Sequence, residues 1–117
     1  MSVTRTFTVT VVSTGSGNKY FIDGVQQATL NLAENGTYKF DQSDSSNGNH
    51  PLRFSTTSGG THSGGSQYTT GVTTNGSPGN AGAYTQITVA KSAPTLYYYC
   101  TQHSGMGGQA NTVDDNS

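Results

Sequence analysis

The chain is poor in charge, in large aliphatic side chains and in cysteine. Lys and Arg together number 5 and Asp and Glu 6 in 117 residues, for a net charge of −1. Charge this sparse builds no basic stripe for a nucleic-acid backbone and no polybasic face for anionic lipid. No apolar run approaches the ~18 residues of a membrane-spanning helix. The lone cysteine, Cys100, excludes an intramolecular disulfide. No charged-then-apolar leader precedes the first patterned segment. The expectation is therefore a chain that is intracellular as written, or a processed or excised piece. Val, Ile, Leu and Phe supply only 18 residues, a scarcity that implies disorder only when net charge is large, which it is not.

What is abundant points to extended structure. The 19 Thr and 7 Tyr favour half-buried strands, and the 16 Gly follow no three-residue period, which excludes a collagen-like helix. Residues 4–12 alternate, with Phe7, Val9 and Val11 on one face and Thr6, Thr8 and Thr10 on the other. Further strands are expected at 19–22, around Leu30 and Leu32, at 37–41 with Tyr38 and Phe40 on one face, at 51–56, 68–74, 84–90, 96–100 and 109–113. Asp23-Gly24, Asn35-Gly36 and Asn75-Gly76 read as hairpin turns. Residues 42–49 read as a polar loop, 57–67 as a mobile glycine-rich surface loop, and 114–117 as a frayed tail. No segment carries a 3.6-residue apolar repeat, and no internal repeat or second domain is visible. The pattern predicts a single all-β domain over residues 1–117, a two-sheet sandwich of about seven to nine short strands.

The chemistry concentrates at the end of the most β-prone run. Leu96-Tyr97-Tyr98-Tyr99-Cys100 leads into Thr101-Gln102-His103-Ser104-Gly105-Met106, so Cys-x2-His-x2-Met leaves the end of a strand. His50 stands fifty residues earlier, between a polar loop and the next strand. A thiolate, two imidazoles and a thioether form a soft donor set that selects copper. Two His and one Cys in a plane, with a weak axial Met, make up the electron-transfer arrangement of that metal. A short loop anchored on strands gives such ligands little freedom.

On these residues the chain resembles the cupredoxins, the small blue-copper proteins such as plastocyanin, pseudoazurin and amicyanin. The order of N-terminal strand, upstream His and C-terminal ligand loop extends the resemblance over nearly the whole length. The two-residue gap between His103 and Met106 is most similar to amicyanin. The resemblance implies a Greek-key β-sandwich holding one type 1 copper ion through His50, Cys100 and His103 in the plane and Met106 on the axis. It also implies a non-enzymatic, monomeric one-electron carrier cycling between Cu(I) and Cu(II). Redox partners would dock near His103, whose edge would be framed by Pro51, Leu52 and Met106, and Tyr99 would mark a second exit. The family's Asn after the upstream His is replaced here by Pro51, which has no N–H. That departure leads to the expectation that the Gln102 N–H donates to the Cys100 sulfur instead.

Other features carry less. His62, between glycines, reads as a solvated loop residue. Asp41, Asp44 and Asn47 suggest a calcium loop, but Leu52 stands where such a loop needs Glu. Asn35-Gly36-Thr37 and Asn75-Gly76-Ser77 match the glycosylation sequon but read better as turns. A catalytic pairing of Cys100 with His103 would leave Met106 without a role. Two rivals to the carrier are a structural or adhesive sandwich that retains the copper ligands, as in a surface or virion protein, and a copper store or delivery protein. The high content of Ser, Thr, Gly and Asn suits the first of these.

Overall fold

The computed structural model describes residues 3–114; of the expected tail, residues 115–117 lie outside the described residues. Eleven strands occur among the described residues. They are β1 (Arg5–Thr14), β2 (Gly17–Ile22), β3 (Val25–Gln26), β4 (Leu30–Ala33), β5 (Thr37–Asp41), β6 (Leu52–Ser55), β7 (Gln67–Tyr68), β8 (Val72–Asn75), β9 (Tyr84–Thr88), β10 (Leu96–Cys100) and β11 (Gly108–Val113). Two of them, β3 and β7, are only two residues long, too short for residue alternation to reveal. The expected count of seven to nine corresponds to the longer nine.

The strands form a sandwich of two sheets, ordered β3-β2-β1-β5-β9-β8 and β4-β11-β10-β6-β7. Most neighbours are antiparallel, while β1 pairs parallel with β5 and β11 parallel with β4. Alternation along each strand sends one set of side chains inward. Phe7, Val9, Tyr20, Ile22, Phe40 and Ile87 face the core from the first sheet, and Leu52, Phe54, Leu96, Tyr98 and Ala110 face it from the second. Aromatic rings compensate for the scarcity of aliphatic ones. Phe40 meets Phe54 edge-on across the sheets at 5.3 Å, and Tyr20 meets Tyr98 at 6.3 Å. Such pairs add to the stabilisation from burial alone. Both tyrosine hydroxyls find backbone acceptors, Tyr98 at Ala28 and Tyr20 at His50.

Three local expectations are corrected. Residues 68–74 are not one strand, because β7 belongs to the second sheet and β8 to the first. Gly71 makes the break, with φ +71 and no room for a Cβ against the Thr88 carbonyl. Neither Asn-Gly site with a sequon is a tight hairpin. Asn35, at φ 67, turns the chain from β4 in one sheet to β5 in the other, and Asn75 is the last residue of β8, separated from β9 by residues 76–83. The segment 57–67 folds back over β10 through a short 3-10 turn at Gly60–Ser63. Asp23-Gly24 does form the expected turn, both residues at positive φ between β2 and β3.

Candidate metal centre

Strand register brings the distant ligands together. β10 runs antiparallel to β6 with Cys100 opposite Leu52. Residues 50 and 51 therefore lie beside the chain leaving β10, and the Thr101 N–H donates to the Pro51 carbonyl at 3.2 Å. Alternation on β10 turns Tyr98 and Cys100 inward, and Cys100 is fully buried. The chain then turns over residues 101–105 and returns into β11, placing Met106 in the core at 1 % exposure.

The Cys100 sulfur lies 3.6 Å from His50 Nδ1 and 3.8 Å from His103 Nδ1. All three donor atoms fall within 4.8 Å of one another, with Met106 close by. The spacing has a simple test. A metal with nitrogen bonds near 2.0–2.1 Å and a sulfur bond near 2.3 Å separates N from S by about 3.6 Å at tetrahedral angles and about 3.8 Å at trigonal ones. Both observed separations fall at these values. Both separations also lie within hydrogen-bond range of a sulfur acceptor, so the two rings converge on Cys100 whether a proton or a metal lies between them. Among the described residues this is the sole cluster of three or more His, Cys, Asp or Glu able to share an ion. Asp41 and Asp44 accept from the Ser43 and Ser46 N–H groups, and the Asn47 amide is engaged with Gln42 and the Val9 carbonyl.

The protonation states suit ligation. Burial lowers the His50 pKa below the usual imidazole value, and the neighbouring His103 lowers it further, which keeps its lone pair free for a metal. Burial raises the Tyr20 phenol well above its ordinary range, and proximity to Cys100 adds to the effect. Tyr20 therefore stays protonated, and its hydroxyl donates a hydrogen bond to the His50 carbonyl at 2.6 Å. Gln42 donates to the same carbonyl at 2.8 Å and accepts from the Leu52 N–H at 3.0 Å. Its Nε2 also reaches Asn47 Oδ1, while Asn47 Nδ2 donates to the Val9 carbonyl. A buried polar chain thus fixes the backbone on both sides of His50. Burial of all these groups is tolerable only because each is satisfied.

The sequence singled out His50, Cys100, His103 and Met106, and the structure brings all four together. It missed the residues that hold them. Tyr20 reads as one more alternating strand residue, and Gln42 and Asn47 look like loop polars although both are buried. No local signal marks them. His62 is also corrected: its ring is exposed, but Nε2–H donates to the Cys100 carbonyl at 2.8 Å and the ring stands edge-on to Tyr99. Tyr99 is itself covered, at 3 % exposure, beneath Gly60, where any Cβ would strike its ring. Of the residues expected to frame the His103 edge, Leu52 and Met106 are buried and Pro51 is half-buried, while His103 itself is exposed with its ring beside His50. Among the described residues no hydrogen bond joins the Gln102 N–H to the sulfur; that residue's side-chain amide turns to Thr101.

The sequence matches no protein-family model and no curated protein.

Proposed function

We propose that the protein is a cupredoxin-like type 1 copper protein that carries single electrons between redox partners. The observation that supports this reading is the pair of imidazole Nδ1 atoms aimed at one buried cysteine sulfur at metal-sharing distances, beside a buried Met106. His50, Cys100 and His103 would hold the ion and Met106 would complete the soft set that favours copper over harder cations. Bound copper supplies the one-electron Cu(I)/Cu(II) couple.

The chain's own residues do the rest. The β6–β10 ladder holds Cys100, and the chain entering β6 holds His50, both buried, so solvent reorganisation on electron exchange would be small. The core excludes water from Cys100 and Met106. His103 is the exposed member of the set, and its edge is the contact point for a partner. The surface near it is nearly uncharged: Gln102, Ser104 and Gly105 surround it, and Lys19 is the cation that reaches this loop. A partner recognising such a face would dock through shape and neutral polar contact rather than a strong charge patch.

Metal-free protein titrated with one equivalent of Cu(II) should develop an intense thiolate-to-metal charge-transfer band in the visible, which Cys100→Ser abolishes. Reversible voltammetry with fast self-exchange separates a carrier from a copper store, which would bind the metal but exchange electrons slowly. A colourless protein without copper affinity would leave the structural-sandwich reading.

A further inference from the structure

Met106 sits in a glycine-rich segment. It is flanked by Gly105 and Gly107-Gly108, and Gly105 is exposed at φ +76. Gly107 packs against the Tyr98 carbonyl, where no Cβ would fit, whereas the space at Gly105 is open apart from Lys19 Nζ, so the backbone entering Met106 has little steric preference of its own. Yet Met106 is among the most deeply buried residues of the protein.

On the other side of the loop a further constraint comes from a distant part of the chain. The β2–β3 hairpin supplies a donor to each of three successive carbonyls. Lys19 Nζ donates to Gly105 O at 2.8 Å, the Tyr20 N–H donates to Met106 O at 2.9 Å, and Gln27 Nε2 donates to Gly107 O at 2.9 Å. Gln27 Nε2 also reaches Gly105 O at 3.2 Å. Gln27 adopts φ 47, a left-handed conformation uncommon for a residue with a Cβ, and its N–H is tied back to the Tyr20 carbonyl at 2.8 Å. Strain of this kind persists where surrounding contacts over-determine it. Here it coincides with a side chain that spans both flanks of Met106.

We propose that the β2–β3 hairpin is a clamp that positions Met106, with Gln27 and Lys19 as positioning residues that never touch the metal. The clamp rests on the copper reading for its purpose but not for its existence. With copper bound, the clamp would limit how closely the Met106 thioether can approach the ion, and weak thioether ligation is one lever on a copper site's potential. A rigid hairpin around a glycine-rich loop would hold that approach constant in both oxidation states.

The test is made first without metal. In Gln27→Ala combined with Lys19→Met, the Tyr20 amide, which is bonded to Met106, should exchange with solvent at least tenfold faster than in the wild type. The Met106 methyl signal should broaden or split. Ladder amides shared by β6 and β10 should keep their protection, showing that the fold is intact. Lys19→Arg, which retains a donor, should behave as the wild type. Unchanged Tyr20 exchange and an unchanged Met106 methyl signal in the double variant would overturn the clamp, whatever the protein does with copper. With Cu(II) added, the double variant should change the intensity ratio of the thiolate charge-transfer bands relative to the wild type. An identical ratio alongside a loosened Met106 would overturn the claim that the clamp limits the thioether's approach to the ion. Failure of the wild type to bind copper would sink the functional reading and leave the metal-free result to judge the clamp alone.

Discussion

His50 and Cys100 take their places from paired backbone, whereas His103 and Met106 sit in a glycine-rich loop gripped from outside. Cys100 ends β10 and His50 stands just before β6, so the register that sets Cys100 opposite Leu52 also places the histidine. Two buried donors, Tyr20 and Gln42, then converge on the His50 carbonyl. The second pair has no ladder until β11 begins at Gly108; His103 is exposed, and the Gly105, Met106 and Gly107 carbonyls are held by Lys19, Tyr20 and Gln27. The difference teaches that one site can join a half made rigid by strand pairing to a half made rigid by borrowed side chains. Tyr20 is common to both, its hydroxyl on His50 and its amide on Met106.

The comparison can be broken most severely at Gly107. A Cβ there would run into the Tyr98 carbonyl, so Gly107→Ala should cost about 3 kcal/mol or more in denaturant unfolding of the metal-free protein. At Gly105 the space is open apart from Lys19 Nζ at 3.7 Å, and Gly105→Ala should cost only about 1 kcal/mol, the penalty of its positive φ. Equal costs at the two positions would mean that the loop is not pressed against β10.

On the ladder side, Gln42→Leu leaves the Leu52 N–H and Asn47 Oδ1 without their buried partner. A loss of about 2–4 kcal/mol is expected by the same measurement. Tyr20→Phe is milder, about 0.5–1.5 kcal/mol, because the His50 carbonyl keeps its bond from Gln42. If Tyr20→Phe proved the more costly of the two, the hydroxyl rather than the amide side chain would be the principal support of His50.

The smallest effect lies at Asp44, which caps the turn at Ser45–Asn47 leading to His50. Hydrogen bonds from Ser46 lower its pKa from the usual 3.8. A carboxylate with a depressed folded pKa stabilises the protein above its unfolded value and loses that contribution as pH falls through the folded one. The gap in unfolding midpoint between wild type and Asp44→Ala should be constant above about pH 5 and shrink below 3.8. A gap independent of pH would show that the cap acts without its charge.

Much of the fold was legible because strand alternation is local. The inward faces of β1, β4, β5, β6 and β10 follow from residues two apart, such as Phe7 with Val9 and Leu52 with Phe54. The ligand loop was legible for a related reason: Cys100, His103 and Met106 are close in sequence, and their donor chemistry is narrow. His50 was found through the resemblance and through its place before a strand. What escaped notice was polar and long-range. The switch of sheet at Gly71, the burial of Gln42 and Asn47, and the reach of His62 to Cys100 all depend on which segments meet after folding.

Sequence by itself determined that this chain forms β-strands and that it carries one set of soft donors, because side-chain type and two-residue periodicity need no knowledge of distant neighbours. Only the tertiary structure decided that two imidazole nitrogens point at one sulfur, and that Tyr20, Gln42, Lys19 and Gln27 hold the ligands in place. Those contacts join residues up to 86 positions apart. Their donors are ordinary polar groups whose partners exist only once the two sheets have closed on each other.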